Sequence, residues 1–296
     1  MNPARTLSFA IGRALICEGI TQHLWKELRM EMEIQRSNFI DVPVTRYVAA
    51  ENTFVADHKY TSEEVYFDID LNGENFTTAF CSPVDFEDLV IGMLAQMGQI
   101  RSVDDITELT LDAEHLCASV TTTDAAQRWA EEAVKNPRYF SARRILKLHP
   151  EEIFERPRAV RFRAADILAT ADELLAGLSK THDRTNGVHS GVLFDQANAK
   201  ILVYREDVGR HNVFDKLYGW ALRNRVEITD KIIVFSGRCS SEMMLKLGRM
   251  GISTVAAKSV PTTLSLELAR KLGITLCARM APGSFCVYTN PERIVL

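Results

Sequence analysis

Three stretches in the second half of this 296-residue chain gather side chains whose types suit the binding of an anion. They are Glu206-Asp207-Val208-Gly209-Arg210-His211-Asn212, Ser236-Gly237-Arg238-Cys239-Ser240-Ser241-Glu242 and Lys258-Ser259-Val260-Pro261-Thr262-Thr263, each lying between an apolar run and a helical pattern. A strand-to-helix junction brings free main-chain N–H groups and the positive end of a helix dipole together. Arg210, Arg238, Ser240, Lys258 and Thr262 at matching junctions therefore predict a shared anionic ligand. The plainer reading makes His211 and Asp215 an i,i+4 surface pair and Arg210 a solvated helix end. On a helix over 210–223, Val213, Leu217, Trp220 and Ala221 form the apolar stripe, which leaves His211, Asn212, Asp215 and Lys216 to other faces. His189, in Gly187-Val188-His189-Ser190-Gly191, sits on a strand among small neighbours. That setting admits a ligand or a second backbone, and it equally suits a satisfied core histidine.

The chain has no G-x-x-x-x-G-K-[ST] phosphate loop and no G-x-G-x-x-G fingerprint. Ser241 lacks the glycine-flanked turn of an esterase nucleophile. The six cysteines, Cys17, Cys81, Cys117, Cys239, Cys277 and Cys286, are widely scattered, which is neither a disulfide framework nor a zinc spacing. A reducing compartment follows as the expectation. Net charge is −4 with no long block of one sign, so bulk nucleic-acid or membrane-surface binding is not expected. No apolar run reaches the roughly 18 residues of a membrane span, and Arg13 interrupts the short apolar stretch Leu7 to Ile16, so a cytoplasmic protein without a signal peptide is expected.

The elements that must position these residues follow from periodicity. Val65 to Leu71 alternates as a half-buried strand, Asn72-Gly73 supplies a hairpin turn, and Glu74 to Phe80 is its partner. Ser82-Pro83-Val84-Asp85 reads as an N-cap serine, first-turn proline and acidic third position opening a helix that Gly98 closes. Phe86, Leu89, Val90, Met93, Leu94 and Met97 are its predicted buried stripe. A helix at about 124–135 and a proline-punctuated connector follow, with the domain boundary near 157. Beyond a helix at 164–179, strands at 187–194, 200–205, 231–235, 253–257, 274–278 and 285–289 interleave with helices at 209–223, 240–250 and 261–272. Pro261 fits a first helical turn, and Gly251 and Gly273 fit C-terminal caps. That order predicts a three-layer α/β domain. The division is an N-terminal extension over 1–35, a smaller α+β domain of β-hairpin plus helix over 36–157, and the α/β/α ligand-binding domain over 158–296.

Taken in order, G-V-H-S-G-V-L-F (187–194), E-D-V-G-R-H-N-V-F-D-K-L-Y-G (206–219), S-G-R-C-S-S-E-M (236–243), K-S-V-P-T-T-L (258–264), G-I-T-L (273–276) and V-Y-T (287–289) resemble the FdhD family of formate dehydrogenase accessory sulfurtransferases. C-S-P-V-D-F-E-D-L-V-I-G-M-L (81–94) agrees, so the resemblance covers about residues 40–290. It implies a cytidine-deaminase-like α/β/α fold and a role in maturing molybdenum-dependent formate dehydrogenase, with sulfur taken from a cysteine desulfurase and passed to the bis-molybdopterin guanine dinucleotide form of the molybdenum cofactor. The implied partners are the desulfurase, formate dehydrogenase and the guanine-nucleotide-containing cofactor; a homodimer is left open. The implied cofactor contacts are His189, Arg210, His211, Asn212, Asp215, Lys216, Ser236, Gly237, Arg238, Ser240, Glu242, Lys258, Ser259 and Thr262, with the loop Arg279, Met280, Ala281, Pro282, Gly283 and Ser284.

A deaminase-like fold raises the rival reading of a zinc hydrolase, which needs H-x-E and P-C-x-x-C at two helix starts. Here those starts offer only His211 and Cys239, so no zinc is expected. Two features depart from the family pattern. The paired-cysteine C-G-x-C-G-like loop is missing, since the corresponding R-R-I-L-K-L-H (143–149) has no cysteine, and A-R-M-A-P-G-S-F-C (278–286) lacks the usual arginine-glycine pair. A persulfide needs a thiolate. Cys239 is the candidate carrier, beside Arg238 at a helix start, unless it merely fills a small apolar position; Cys277 and Cys286 are expected to be buried in strands. Without a carrier thiol the chain would be a cofactor-binding chaperone or regulator.

Overall fold

In the computed structural model, residues 38–149, 152, 160–175 and 179–296 are described. The predicted extension over 1–35, Cys17 included, lies outside them. Residues from Ser37 onward form one compact unit. It opens with a long hairpin of β1 (Phe39–Val48) and β2 (Thr53–Ser62), which among the described residues pair only with each other. The predicted hairpin β3 (Val65–Leu71) and β4 (Glu74–Cys81) follows, then α1 (Phe86–Gln96), β5 (Ile106–Asp112) and β6 (Cys117–Thr122). These strands make a sheet of order β4-β3-β6-β5. Phe67, Ile69, Leu89, Leu94 and Val120 close its core against α1.

The connector carries α2 (Asp124–Ala133) and a short α3 (Ala142–Ile145). The stretch that corresponds to the family's paired-cysteine loop is thus partly helical, with Ile145 buried in the C-terminal core. Next come β7 (Phe162–Arg163), α4 (Ala164–Leu175), α5 (Lys180–Thr185), β8 (His189–Asp195), β9 (Lys200–Asp207), α6 (Arg210–Arg223), β10 (Ile232–Phe235), α7 (Ser241–Met250), β11 (Thr254–Ala257), α8 (Thr263–Leu272), β12 (Thr275–Ala281), β13 (Ser284–Val287) and β14 (Ile294–Val295). The sheet order is β13-β12-β11-β10-β8-β9, with β10, β11 and β12 parallel and β8 antiparallel to both its neighbours. Ile167, Ala171 and Leu174 of α4 cover one face, and α6, α7 and α8 cover the other. This is the expected three-layer α/β/α arrangement.

The sheets are joined through α1 and α6, whose backbones touch. A Cβ on Gly92 would fall 1.8 Å from the Asp215 carbonyl oxygen, and one on Gly219 would fall 1.8 Å from that of Asp88. Gly251 and Gly273 take the left-handed conformation expected of C-terminal caps. Three local readings are corrected. Asp85, left-handed at φ 55°, precedes α1 in place of Ser82. Ser82 is instead buried against β9, where its N–H donates to the Asp207 carboxylate (3.1 Å) and its hydroxyl accepts from Val208 N–H (3.0 Å). Met97 is 47% exposed because α1 has already ended. Pro261 precedes the N-cap: Thr262 and Ser265 close a capping box around the start of α8.

Candidate functional site

The antiparallel pairing of β8 sets His189 opposite Asp207, so the start of β8 and the carboxyl ends of β9, β10, β11 and β12 share one edge of the sheet. The loops there are laced by main chain. Lys258 N–H donates to Phe235 O (2.9 Å), Ser259 N–H to Gly237 O (3.4 Å), Arg279 N–H to Ser259 O (3.5 Å) and Met280 N–H to Lys258 O (3.1 Å). Ser236 exchanges bonds with Ser190: its N–H donates to Ser190 O and its hydroxyl accepts from Ser190 N–H, both at 2.8 Å. The predicted stretches around 236, 258 and 279 are therefore neighbours, as one ligand would require.

Beneath this edge lies a buried anchor. Asp207 accepts from Gly209 N–H (2.7 Å), the Asn212 amide (2.9 Å) and Ser82 N–H, and its Oδ2 lies 2.7 Å from Lys216 Nζ, both side chains being fully buried. Lys216 also donates to Glu206 O (3.1 Å). These bonds fix Gly209, the residue before α6, and with it the direction in which Arg210 leaves. Glu206 accepts from Asn38 (2.9 Å), Thr181 (2.5 Å), Tyr204 (2.5 Å) and Ser179. Burial would raise its pKa, but the hydroxyl and amide donors outweigh burial and hold it below the ordinary value.

Two members of the predicted polar quartet are thereby corrected. Asp215 and Lys216 do not face a ligand: Lys216 is 0% exposed beneath Asp207, and Asp215, 2% exposed, is 2.5 Å from Lys246. The helix is covered on two sides, by the sheet and by α1, so its polar positions are not all free. Asn212 is a strut, its amide also donating to Phe80 O (2.7 Å). Thr262 spends its hydroxyl on the capping box.

The remaining residues make a cationic rim. Arg210 is half-buried and its Nε is sealed without a hydrogen-bond partner; Ser240 Oγ, before α7, is likewise sealed and unpartnered. Arg238, Lys258, Ser259 and Arg279 are exposed, and among the described residues no ion pair involves Arg210, Arg238, Lys258 or Arg279. Arg279 holds a left-handed φ of 57° beside the irregularity between Ala278 and Ala281, which re-aims its side chain. Met280 is half-buried, while Ala281, Pro282, Gly283 and Ser284 form an exposed turn. His189 stands beside Gly237, where any Cβ would come within 2.9 Å of its Nδ1 and 2.7 Å of the Phe235 ring. Burial first, then Arg210, lowers the His189 pKa. Burial also lowers that of His211, against the pull of Glu242 at 3.2 Å. The edge thus offers fixed cations, neutral imidazoles, hydroxyls and main-chain N–H groups.

It does not offer the predicted thiolate. Cys239 is fully buried in the apolar cluster with Phe235, Met243 and Leu247, and burial pushes its thiol up to about 12, overriding any help from Arg238 and the helix start. Cys277 is buried as expected, whereas Cys286 is exposed because β13 is an edge strand. Among the described residues no group of three or more His, Cys, Asp or Glu side chains is placed to hold a metal. Reading by residue type missed Ser82, Tyr204 and the roles of Glu206 and Asp207. An acidic pair at a strand end before G-R-H was the available signal for the last two.

The family model described as FdhD/NarQ family matches residues 62–295. The chain is 35% identical over 265 residues to the "Sulfur carrier protein FdhD" of Geobacillus kaustophilus, covering 86% of this chain and 96% of that protein. It is 37% identical over 259 residues to the protein of the same name from Bacillus subtilis, covering 85% and 95%. In three dimensions it is similar to a crystal structure of a candidate formate dehydrogenase accessory protein from Desulfotalea psychrophila, with a TM-score of 0.71, 25% identity and coverage of 88% of this chain and 100% of that one.

Proposed function

Since the chain belongs to the FdhD/NarQ family, we propose that it is a formate dehydrogenase accessory protein whose cationic edge binds the polyanionic bis-molybdopterin guanine dinucleotide cofactor. The observation that carries this is the rim itself, where Arg238, Lys258 and Arg279 are exposed and, among the described residues, form no ion pair with a carboxylate, nor does the half-buried Arg210 beside them. Exposed guanidinium and ammonium groups without a protein counter-ion are the groups that a ligand phosphate would meet with charge-assisted hydrogen bonds. The donor set fits the cofactor. Arg210, Arg238, Lys258 and Arg279 would meet its phosphates, His189 and Gly237 would leave room for close approach, and the cofactor would supply the molybdenum centre that accepts sulfur.

Support of sulfuration by transfer from a cysteine desulfurase is the fuller form of this reading. The alternative, a cofactor-binding chaperone or regulator without transfer, is favoured by the burial of Cys239 and by the absence of cysteine from 143–149. In that form the thiol comes from a partner. Calorimetry with guanosine diphosphate and with the released cofactor tests the binding, which should weaken at least tenfold in Arg238→Ala; no binding of either removes the proposal. Mass spectrometry after incubation with a cysteine desulfurase and cysteine separates the two forms, a gain of about 32 Da on any cysteine marking a carrier.

A further inference from the structure

The hairpin of β1 and β2 stands apart from the larger sheets, for among the described residues neither strand pairs with a third. A two-stranded ribbon on its own is at best marginally stable in water, and this one is pinned at its root. There the Asn38 amide donates to Glu206 (2.9 Å), and the Ser62 and Thr185 hydroxyls share a hydrogen bond of 2.6 Å. The Arg184 guanidinium lies 5.2 Å from the Phe39 ring centre and 5.1 Å from that of Tyr60. The far end is apolar and open. Tyr47 and Phe54 sit directly opposite each other with ring centroids 5.3 Å apart, and they are 52% and 70% exposed.

A second open aromatic pair lies just beyond the root. Tyr66 of β3 and Phe80 of β4 are opposite each other in register and alternate with the core residues Val65, Phe67, Ala79 and Cys81, so they occupy the face of their sheet turned away from α1. They are 60% and 66% exposed. Phe80 is held in place, its carbonyl accepting from the Asn212 amide (2.7 Å). One chain does not bring its own two pairs together. At about 3.3 Å per residue, Phe54 lies roughly 26 Å along β2 from Ser62, whereas the stretch from Ser62 to Tyr66 spans at most roughly 14 Å. Two copies do. When two such arms lie antiparallel about a two-fold axis, each tip falls beside the other's root, and both aromatic pairs of both chains are covered at once.

We propose that the hairpin is a dimerisation arm for a second copy of this chain, with Tyr47 and Phe54 of each arm packed on Tyr66 and Phe80 of the other copy. Its charges suit a like partner. Arg46 and Lys59 are each 2.9 Å from Asp57, and His58 is 3.3 Å from Asp41, so the arm is electrically balanced and carries nothing for a polyanion or a basic surface to select. Strand addition at the edges is disfavoured, because Pro43 has no N–H and the N–H of His58, opposite it, is taken by the Asp57 carboxylate (2.8 Å). The faces remain. Four aromatics per chain, each burying on the order of 100 Å², give about 800 Å² in a pair, most of the roughly 1,200 Å² that a specific interface needs, before the arms themselves are counted.

Sedimentation velocity on the full chain tests this, and a dimer is expected. Phe54→Asp at the tip and Phe80→Asp on the patch should each weaken it at least tenfold, with the far-UV circular dichroism unchanged because both side chains are exposed. With Cys17→Ser and Cys286→Ser as background, Phe54→Cys combined with Phe80→Cys should give disulfide-linked dimers on mild oxidation. Phe54→Cys alone should not, since the two tips lie at opposite ends. A monomer at every concentration, a ladder of higher oligomers, a dimer unaffected by both aspartates, no cross-link in the double cysteine variant, or a cross-link through Phe54→Cys alone each overturns the proposal.

Discussion

Replacing Lys216 by methionine probes the anchor beneath the cationic edge most directly. The substitution keeps most of the buried stem and removes the ammonium that lies 2.7 Å from Asp207, both side chains being 0% exposed. Breaking a buried ion pair on one side costs about 3–5 kcal/mol, since the other charge stays behind without a counter-ion. Asp207 would still accept from Ser82 N–H, Gly209 N–H and the Asn212 amide. Because those bonds persist, the expected loss falls at the lower end, about 3 kcal/mol, against a typical total of about 5–15 kcal/mol. Urea denaturation followed by fluorescence and far-UV circular dichroism measures it, coincident transitions licensing the comparison. Asp207→Asn combined with Lys216→Met leaves no charge buried and should recover at least half of the loss. A Lys216→Met cost below about 1 kcal/mol, or a double variant no more stable than the single one, refutes the anchor.

Gly219→Ala should destabilise by about 3 kcal/mol, the upper end for overpacking, because its Cβ meets a backbone oxygen on α1 and not a side chain that can turn away; urea denaturation reads this, and a neutral result would mean the helices separate freely. His189 should titrate below 6.5 in the free protein. A bound anion would raise that value, so binding takes up a proton, and affinity for guanosine diphosphate should rise as pH falls through the bound-state pKa and level off below the free-state one. Proton NMR of His189 with calorimetry at several pH values checks this, and a pH-independent affinity contradicts it. Iodoacetamide on the native protein should label Cys286 long before Cys239, whose thiol is sealed and raised to about 12; early labelling of Cys239, read by peptide mass spectrometry, would return it to the list of carriers.

The C-terminal strands and helices were legible because buried runs such as Ile232–Phe235 alternate with amphipathic helices capped by Gly251 and Gly273. Arg210, Arg238 and Lys258 were legible from residue type and junction alone, Arg279 only from the family resemblance, and the four do share one edge. What was not legible depends on how the chain folds back on itself. Lys216 looks like a surface lysine until Asp207, nine residues earlier, is seen folded onto it. Ser82 has the surroundings of an N-cap, and only the arrival of β9 diverts its hydroxyl to Val208. The hairpin of β1 and β2, the pair β5 and β6, and the exposure of Cys286 on an edge strand depend likewise on sheet position, which local periodicity does not carry.

The lacing of the loops through Phe235, Gly237, Lys258, Ser259, Arg279 and Met280 runs entirely through main-chain atoms. The three exposed cations hang from this lattice without being part of it. Exchanging a side chain at 238 or 258 leaves every tie in place, as does one at 279 that accepts the left-handed backbone there, whereas adding or deleting a residue in one loop displaces the others. Ligand preference on this scaffold is therefore retuned by substitution at fixed loop length, and a library that randomises those positions without insertions samples new specificities at little risk to the fold.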